Sequence, residues 1–187
     1  MKIIFIRHGK TQGNLEKRYI GKTDEHLCTV GIDELKNRSY PDTEIVVCSP
    51  MKRCIETAKI IYPNKNAEIY SGLKECDFGS FEGRNYAELC NNPDYIKWLD
   101  SMGKQPFPNG ESHENFVGRC VAAFEKSVGD FKSCGTVAYV VHGGTVMAVL
   151  EKFAVPKKGF YDYQVKNGCG YLCEYNHGKI EILGEIL

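Results

Sequence analysis

The chain has no excess of either charge, since its 24 basic and 24 acidic residues cancel. Such a balance offers no overall field to draw nucleic acid or an anionic membrane, so any anion site has to be built locally. Also missing is any apolar run near the ~18 residues that a membrane-spanning helix requires. The start of the chain lacks the basic and hydrophobic regions of a signal peptide. A cytoplasmic protein with no nucleic-acid and no membrane partner is therefore expected. No Cys-x-x-Cys pair occurs among the nine cysteines, and only His177 lies near Cys169 and Cys173. The number is odd and zinc-ligand spacing is absent, which favours reduced thiols over a disulfide framework or a metal site. No composition shift, Pro/Ser-rich linker, internal repeat or low-complexity tract divides the 187 residues, as suits one domain with a sizeable core.

What the chain does have is a set of strand ends that carry chemistry. Ile3, Ile4, Phe5 and Ile6 are apolar without alternation, as in a strand buried on both faces of a mostly parallel sheet. This strand releases Arg7, His8 and Gly9 at its end, and ligands of open α/β sheets bind just beyond the carboxyl ends of the strands. Residues 45–48 and 136–141 read as two further buried strands, with a short one at 67–70. After residue 48, Ser49 can act as N-cap and Pro50 suits the first helical position. Met51, Cys54, Ile55, Ala58 and Ile61 then repeat at helical spacing until Pro63. Arg53 falls in the first turn of that helix, where a cation opposes the dipole and a bound anion would resolve the conflict. The strand at 136–141 ends in His142-Gly143-Gly144-Thr145, which opens a helix to about Phe153, a second N-terminus with free N–H groups.

Between these lie a polar turn at 11–14, a loop at 18–27, and short helices at 29–37, 85–90 and 94–102. A Pro/Gly loop at 103–110 precedes a long helix at 112–131, whose apolar face of Phe116, Val117, Cys120, Ala123, Phe124, Val128 and Phe131 is scaffold. Residues 168–175 and 179–183 read as a hairpin across Asn176-His177-Gly178. The run from Leu73 to Gly83 holds three carboxylates and two glycines, a density typical of functional loops. If the buried strands are neighbours, Arg7, His8, Arg53 and His142 converge on one pocket. Guanidiniums, imidazoles and a helix N-terminus around one point match a phosphoryl group. Neighbouring arginines lower a histidine's pKa. One nitrogen of His8 is then free to attack phosphorus, the other being held by backbone near Gly9 or by a polar neighbour. The leaving alkoxide needs a proton, for which Glu75, Asp77 and Glu82 are candidates.

In this order the residues resemble the histidine phosphatase superfamily, also called phosphoglycerate mutase-like. The likeness rests on Arg7-His8-Gly9, Asn14, Arg18, Ser49-Pro50 with Arg53, the loop from Glu75 to Gly83, Gly110-Glu111-Ser112 and His142-Gly143-Gly144. It implies a three-layer α/β/α sandwich with a mostly parallel central sheet, and a small cap-like region around residues 72–111. It further implies His8 as nucleophile, with Arg7, Arg53 and His142 as phosphate ligands. Asn14, Arg18 and Gly143 follow as substrate contacts and Glu75 as proton donor, with a small phosphate ester as the partner and no metal or cofactor. Lys10 stands where the family commonly has Glu, either adding a cation near the pocket or lying in solvent.

The chain looks too short for the extra segments of the cofactor-dependent mutases. A phosphomonoesterase is accordingly expected ahead of a phosphoglycerate mutase, a broad-specificity sugar-phosphate phosphatase or a non-catalytic phosphate-binding module. Residues 19–24, 75–83 and 108–112 look like the bacterial α-ribazole phosphatases of cobalamin nucleotide-loop assembly, which points to α-ribazole 5-phosphate. Tyr19, Phe78, Phe81, Tyr86, Trp98 and Phe107 offer flat surfaces near the mouth, although Tyr86, Trp98 and Phe107 read first as cap packing. His26, His113 and His177 read as surface or turn residues. The oligomeric state is left open.

Overall fold

In the computed structural model, which describes residues 1–187, the run of apolar residues near the N-terminus forms β1 (Lys2–Arg7). The chain continues through α1 (Gln12–Leu15), α2 (Thr29–Lys36), β2 (Ile45–Cys48), α3 (Lys52–Ile61), β3 (Ala67–Ile69), α4 (Tyr86–Leu89) and α5 (Pro93–Asp100). It closes with α6 (His113–Asp130), β4 (Thr136–Val141), α7 (Gly143–Phe153), β5 (Gly170–Asn176) and β6 (Lys179–Ile186). The six strands form one sheet in the order β3-β2-β4-β1-β5-β6. The first four strands of that order run parallel, β5 pairs antiparallel with β1, and β6 pairs antiparallel with β5.

The lack of alternation in β1 has a direct cause. Ile3 and Phe5 enter a core with Val137, Tyr139, Phe124 of α6 and Val149 of α7, while Ile4 and Ile6 enter a second core with Val46, Cys48 and Cys54 and Ala58 of α3. Helices thus flank both faces of the sheet, and α2 packs beside α3. Each buried aliphatic side chain stabilises the fold by roughly 1.5–3 kcal/mol, so both cores depend on the same central strands.

Register is what positions the site. Arg7 lies opposite Val141, and Cys48 opposite Val140. The three adjacent strands β2, β4 and β1 therefore end at nearly one level, and Ser49, His142 and His8 emerge side by side.

Several boundaries differ from the sequence reading. Helix α3 starts at Lys52 with Met51 as N-cap, so Ser49 is not the cap and Pro50 is not the first helical residue. The Ser49 hydroxyl instead meets His142, and the exposed start of α3 takes its acceptor from Asp24, bonded by the Lys52 N–H at 2.7 Å. The polar turn at 11–14 is a helical turn closed by a reciprocal Thr11–Asn14 capping box. Helix α5 begins one residue early because Asn92 caps it with Pro93 behind. It stops short because Met102 and Gly103 have φ of +53° and +75°. In this region Phe81, Leu89 and Tyr95 bury themselves against Tyr19, Phe78, Trp98 and Phe107, a small core separate from the two beside the sheet. All nine cysteines are unpaired, and no helix is long and apolar enough to cross a membrane.

Candidate active site

His8 leaves the end of β1 almost fully buried. Its Nδ1 lies 2.7 Å from the Gly9 carbonyl oxygen. A carbonyl only accepts, so Nδ1 carries the proton and Nε2 presents a lone pair. The loop is pinned on both sides: the Gly9 N–H donates to Thr57 Oγ1 of α3 at 2.9 Å, and Asn167 Nδ2 donates to the His8 carbonyl at 3.1 Å and to Asn14 Oδ1 at 3.1 Å. His142, at the end of β4, stands edge-on to His8 with ring centroids 5.2 Å apart. Its Nε2 meets Ser49 Oγ at 2.8 Å and lies 3.5 Å from Cys54 Sγ. Burial first, and then the positive charge of Arg53, hold both imidazoles well below the ordinary histidine range. Arg7 adds to the effect on both, so the pair is neutral at physiological pH.

The two arginines are held differently. Arg7 Nη1 donates to the Val165 carbonyl at 2.8 Å, and burial lowers its pKa while Glu75 opposes that shift. Arg53 is completely buried and grips the loop after Arg18 through the carbonyls of Thr23 (2.7 Å), Gly21 (2.8 Å) and Ile20 (3.4 Å). The Nε of each arginine is buried without an acceptor. Two buried guanidinium N–H groups without acceptors fit an anion, because an unpaired buried donor costs about 1–3 kcal/mol.

Glu75 closes the site from the opposite side. Its carboxylate accepts the N–H of Cys76 at 3.0 Å and that of Gly144, in the first turn of α7, at 3.2 Å. A carboxylate at a helix N-terminus is favoured by the dipole, and the approach requires glycine. A Cβ on Gly144 would lie 2.3 Å from Glu75 Oε1. The backbone beneath is fixed by Arg119, which donates to the carbonyls of Gly72 (2.9 Å), Lys74 (2.7 Å) and Glu75 (2.8 Å) while paired with both Glu111 oxygens.

Arg7, His8, Asn14, Glu75, Gly143 and Gly144 line one cavity of about 260 Å³, with Arg18 also on its wall. Arg53 and His142 are fully buried and are not part of its wall, His142 standing against His8 with ring centroids 5.2 Å apart. Arg18 spends its guanidinium on Glu16, Glu88 and the Gly83 carbonyl. Of the three carboxylates considered as proton donor, only Glu75 lines this cavity. Asp77 accepts the Gly79 N–H and pairs with Lys22, and Glu82 accepts two N–H groups of the loop that Arg53 grips. Lys10 is paired with Glu34 at 2.5 Å and is not part of the cavity wall.

Away from His8 the walls are aromatic. Tyr19, Phe78, Trp98 and Phe107 line them, whereas Phe81 is buried beneath and Tyr86 is exposed outside. The far wall comes from Phe116 of α6, which the sequence reading took as scaffold, and from residues given no place there: Met147 of α7, and Phe160, Tyr161 and Gln164 around a 3₁₀ turn at Phe160–Tyr163. His113 is a correction, since it lines the cavity with its ring 4.8 Å from that of Phe160. Its place as first residue of α6, right after the Ser112 cap, was the available signal. Asn167 and Arg119 were also missed. The Asn167-Gly168 pair marks a turn, but nothing local says what it turns against. No group of three or more His, Cys, Asp or Glu side chains could hold a metal ion.

A sequence model of the histidine phosphatase superfamily (branch 1) matches residues 3–185. The chain is 25% identical over 185 residues to the adenosylcobalamin/alpha-ribazole phosphatase of Escherichia coli K12, covering 94% of this chain and 91% of that protein. It is 29% identical over 161 residues to the 2,3-bisphosphoglycerate-dependent phosphoglycerate mutase of Cytophaga hutchinsonii, covering 79% and 75%. Among solved structures, the alpha-ribazole phosphatase from Shigella flexneri superposes with a TM-score of 0.86 at 23% identity, covering 100% of this chain and 96% of that one. At that identity the likeness concerns the fold.

Proposed function

Because the chain belongs to the histidine phosphatase superfamily and is a phosphoric monoester hydrolase, we propose that it works through a phosphohistidine on His8, with α-ribazole 5-phosphate as substrate. What supports this most is the tautomer of His8. With Nδ1–H given to the Gly9 carbonyl at 2.7 Å, the Nε2 lone pair attacks phosphorus as the ester P–O bond breaks. Arg7 and Arg53, each through the buried Nε that has no acceptor in the protein, and the first turn of α7 stabilise charge on the phosphoryl oxygens. Glu75, in its acid form, gives the leaving alkoxide its proton. Its carboxylate then takes a proton from water as that water attacks phosphorus, which breaks the P–N bond and frees His8 and inorganic phosphate.

Substrate choice rests on the walls. They suit a flat heterocycle on a ribose, because each base–aromatic stack contributes ~1–3 kcal/mol. The Escherichia coli relative named for α-ribazole phosphatase activity supports the same reading. The test is kcat/KM for α-ribazole 5-phosphate beside 3-phosphoglycerate, a hexose phosphate and phosphotyrosine. An advantage of at least about tenfold, or ~1.4 kcal/mol, is expected for α-ribazole 5-phosphate, with inorganic phosphate as product. Comparable values across the panel would remove the substrate assignment. An isomerised phosphoglycerate in place of inorganic phosphate would mark a mutase, the activity named for the Cytophaga hutchinsonii relative.

A further inference from the structure

Glu82 and Arg53 hold opposite edges of the same short piece of backbone. Glu82 Oε1 accepts the N–H groups of Gly21 at 2.8 Å and Thr23 at 2.9 Å. The carbonyls of those same two residues accept from Arg53, at 2.8 Å and 2.7 Å. Asp24, next in the chain, ties the loop to the start of α3, the helix that carries Arg53. The loop has no slack between its two anchors, since a Cβ on Gly21 would stand 1.9 Å from the Cys76 carbonyl oxygen.

A guanidinium whose direction is set by carbonyls is only as well aimed as the carbonyls are. The peptide between Ile20 and Gly21 is held at both ends, its N–H by Glu82 and its C=O by Arg53 at 3.4 Å, and an anion on the N–H end polarises that carbonyl. Glu82 does this with one oxygen, while Oε2 is buried without a donor. The carboxylate is thus kept at a cost that burial of an apolar side chain would avoid. We infer that Glu82 is a positioning residue for Arg53, acting through residues 20–24 to fix the guanidinium against the phosphoryl group. This rests on the reading of Arg53 as a phosphoryl ligand.

The experiment is a double-mutant cycle on p-nitrophenyl phosphate hydrolysis with Glu82→Ala and Arg53→Ala, alone and together. If Glu82 acts through Arg53, E82A lowers kcat/KM by about tenfold in the native background and by less than about twofold once Arg53 is gone. Glu82→Gln, which retains an acceptor oxygen, recovers most of the loss. The same factor in both backgrounds, or no loss in E82A, overturns the inference while leaving Arg53 as a ligand. An unimpaired R53A overturns the ligand reading itself. Where E82A does not fold, Glu82→Asp serves in the same cycle, because withdrawing the carboxylate by one methylene takes it out of reach of both N–H groups.

Discussion

Replacing Glu75 by Gln keeps the size and shape of the side chain but removes the proton it could give up, which makes its consequences calculable. The side chain sits between the Cys76 and Gly144 N–H groups at 3.0 Å and 3.2 Å. The two donors use different oxygens, so Gln keeps an acceptor for one of them and turns its NH2 toward the other, while Arg119 still holds the loop backbone. What Gln cannot do is protonate a leaving group. Positioned general acids contribute about 10²–10⁴ in rate, equivalent to ~2.7–5.4 kcal/mol. For an alkyl ester such as α-ribazole 5-phosphate, whose alkoxide is a strong base, kcat/KM should fall by that whole factor. For p-nitrophenyl phosphate, whose phenolate leaves without a proton, the loss should be about tenfold at most. Steady-state kinetics on the two substrates with the same enzyme preparation gives the ratio directly. Equal losses on both would refute the reasoning and make Glu75 a support for the start of α7.

Other consequences can be checked alongside. His8 and His142 are neutral and buried, with pKa values held well below their unfolded value of about 6.5. The unfolded chain therefore binds more protons, so their contribution to stability is complete above about pH 6.5. It is lost as pH falls from there toward the depressed values, by up to ~1.4 kcal/mol per unit for each histidine. Denaturant titrations across this window should show that slope, and His142→Gln should reduce it; a flat profile would contradict the burial argument. Gly144→Ala places a methyl 2.3 Å from Glu75 Oε1 and 2.9 Å from the Phe116 ring. It should displace the carboxylate and cost ~10²-fold on an alkyl ester, against little on p-nitrophenyl phosphate. Phe107→Ala should lower kcat/KM for α-ribazole 5-phosphate by ~1–3 kcal/mol and leave p-nitrophenyl phosphate within about threefold; parallel losses would mean that Phe107 serves only the cap core.

Strand ends were the most legible part of the chain. A strand buried on both faces has no polar side, so residues 45–48 and 136–141 could be bounded to the residue, and chain direction alone assigns Arg7, His8 and His142 to one edge. The order of the strands was not legible, because it depends on pairings between residues more than a hundred positions apart, such as Arg7 with Val141. Ser49 misled for a related reason: a serine before proline looks like a cap until the strand beside it brings His142 within 2.8 Å. Glu75, Asp77 and Glu82 could not be separated because their roles depend on which face of an irregular loop each occupies. The walls past residue 150 lay hidden, since Phe160 and Tyr161 belong to a 3₁₀ turn with no periodic signal.

The central claim is that phosphorus is passed to Nε2 of His8. A phosphoramidate on imidazole is cleaved by acid and survives alkali, so a turnover reaction quenched in base and digested preserves it for mass spectrometry. The expected result is one added phosphoryl group on the peptide bearing His8, lost on acid treatment, with neither label nor turnover in His8→Ala. Sustained turnover in His8→Ala, or phosphorylation mapped to another residue, would contradict it.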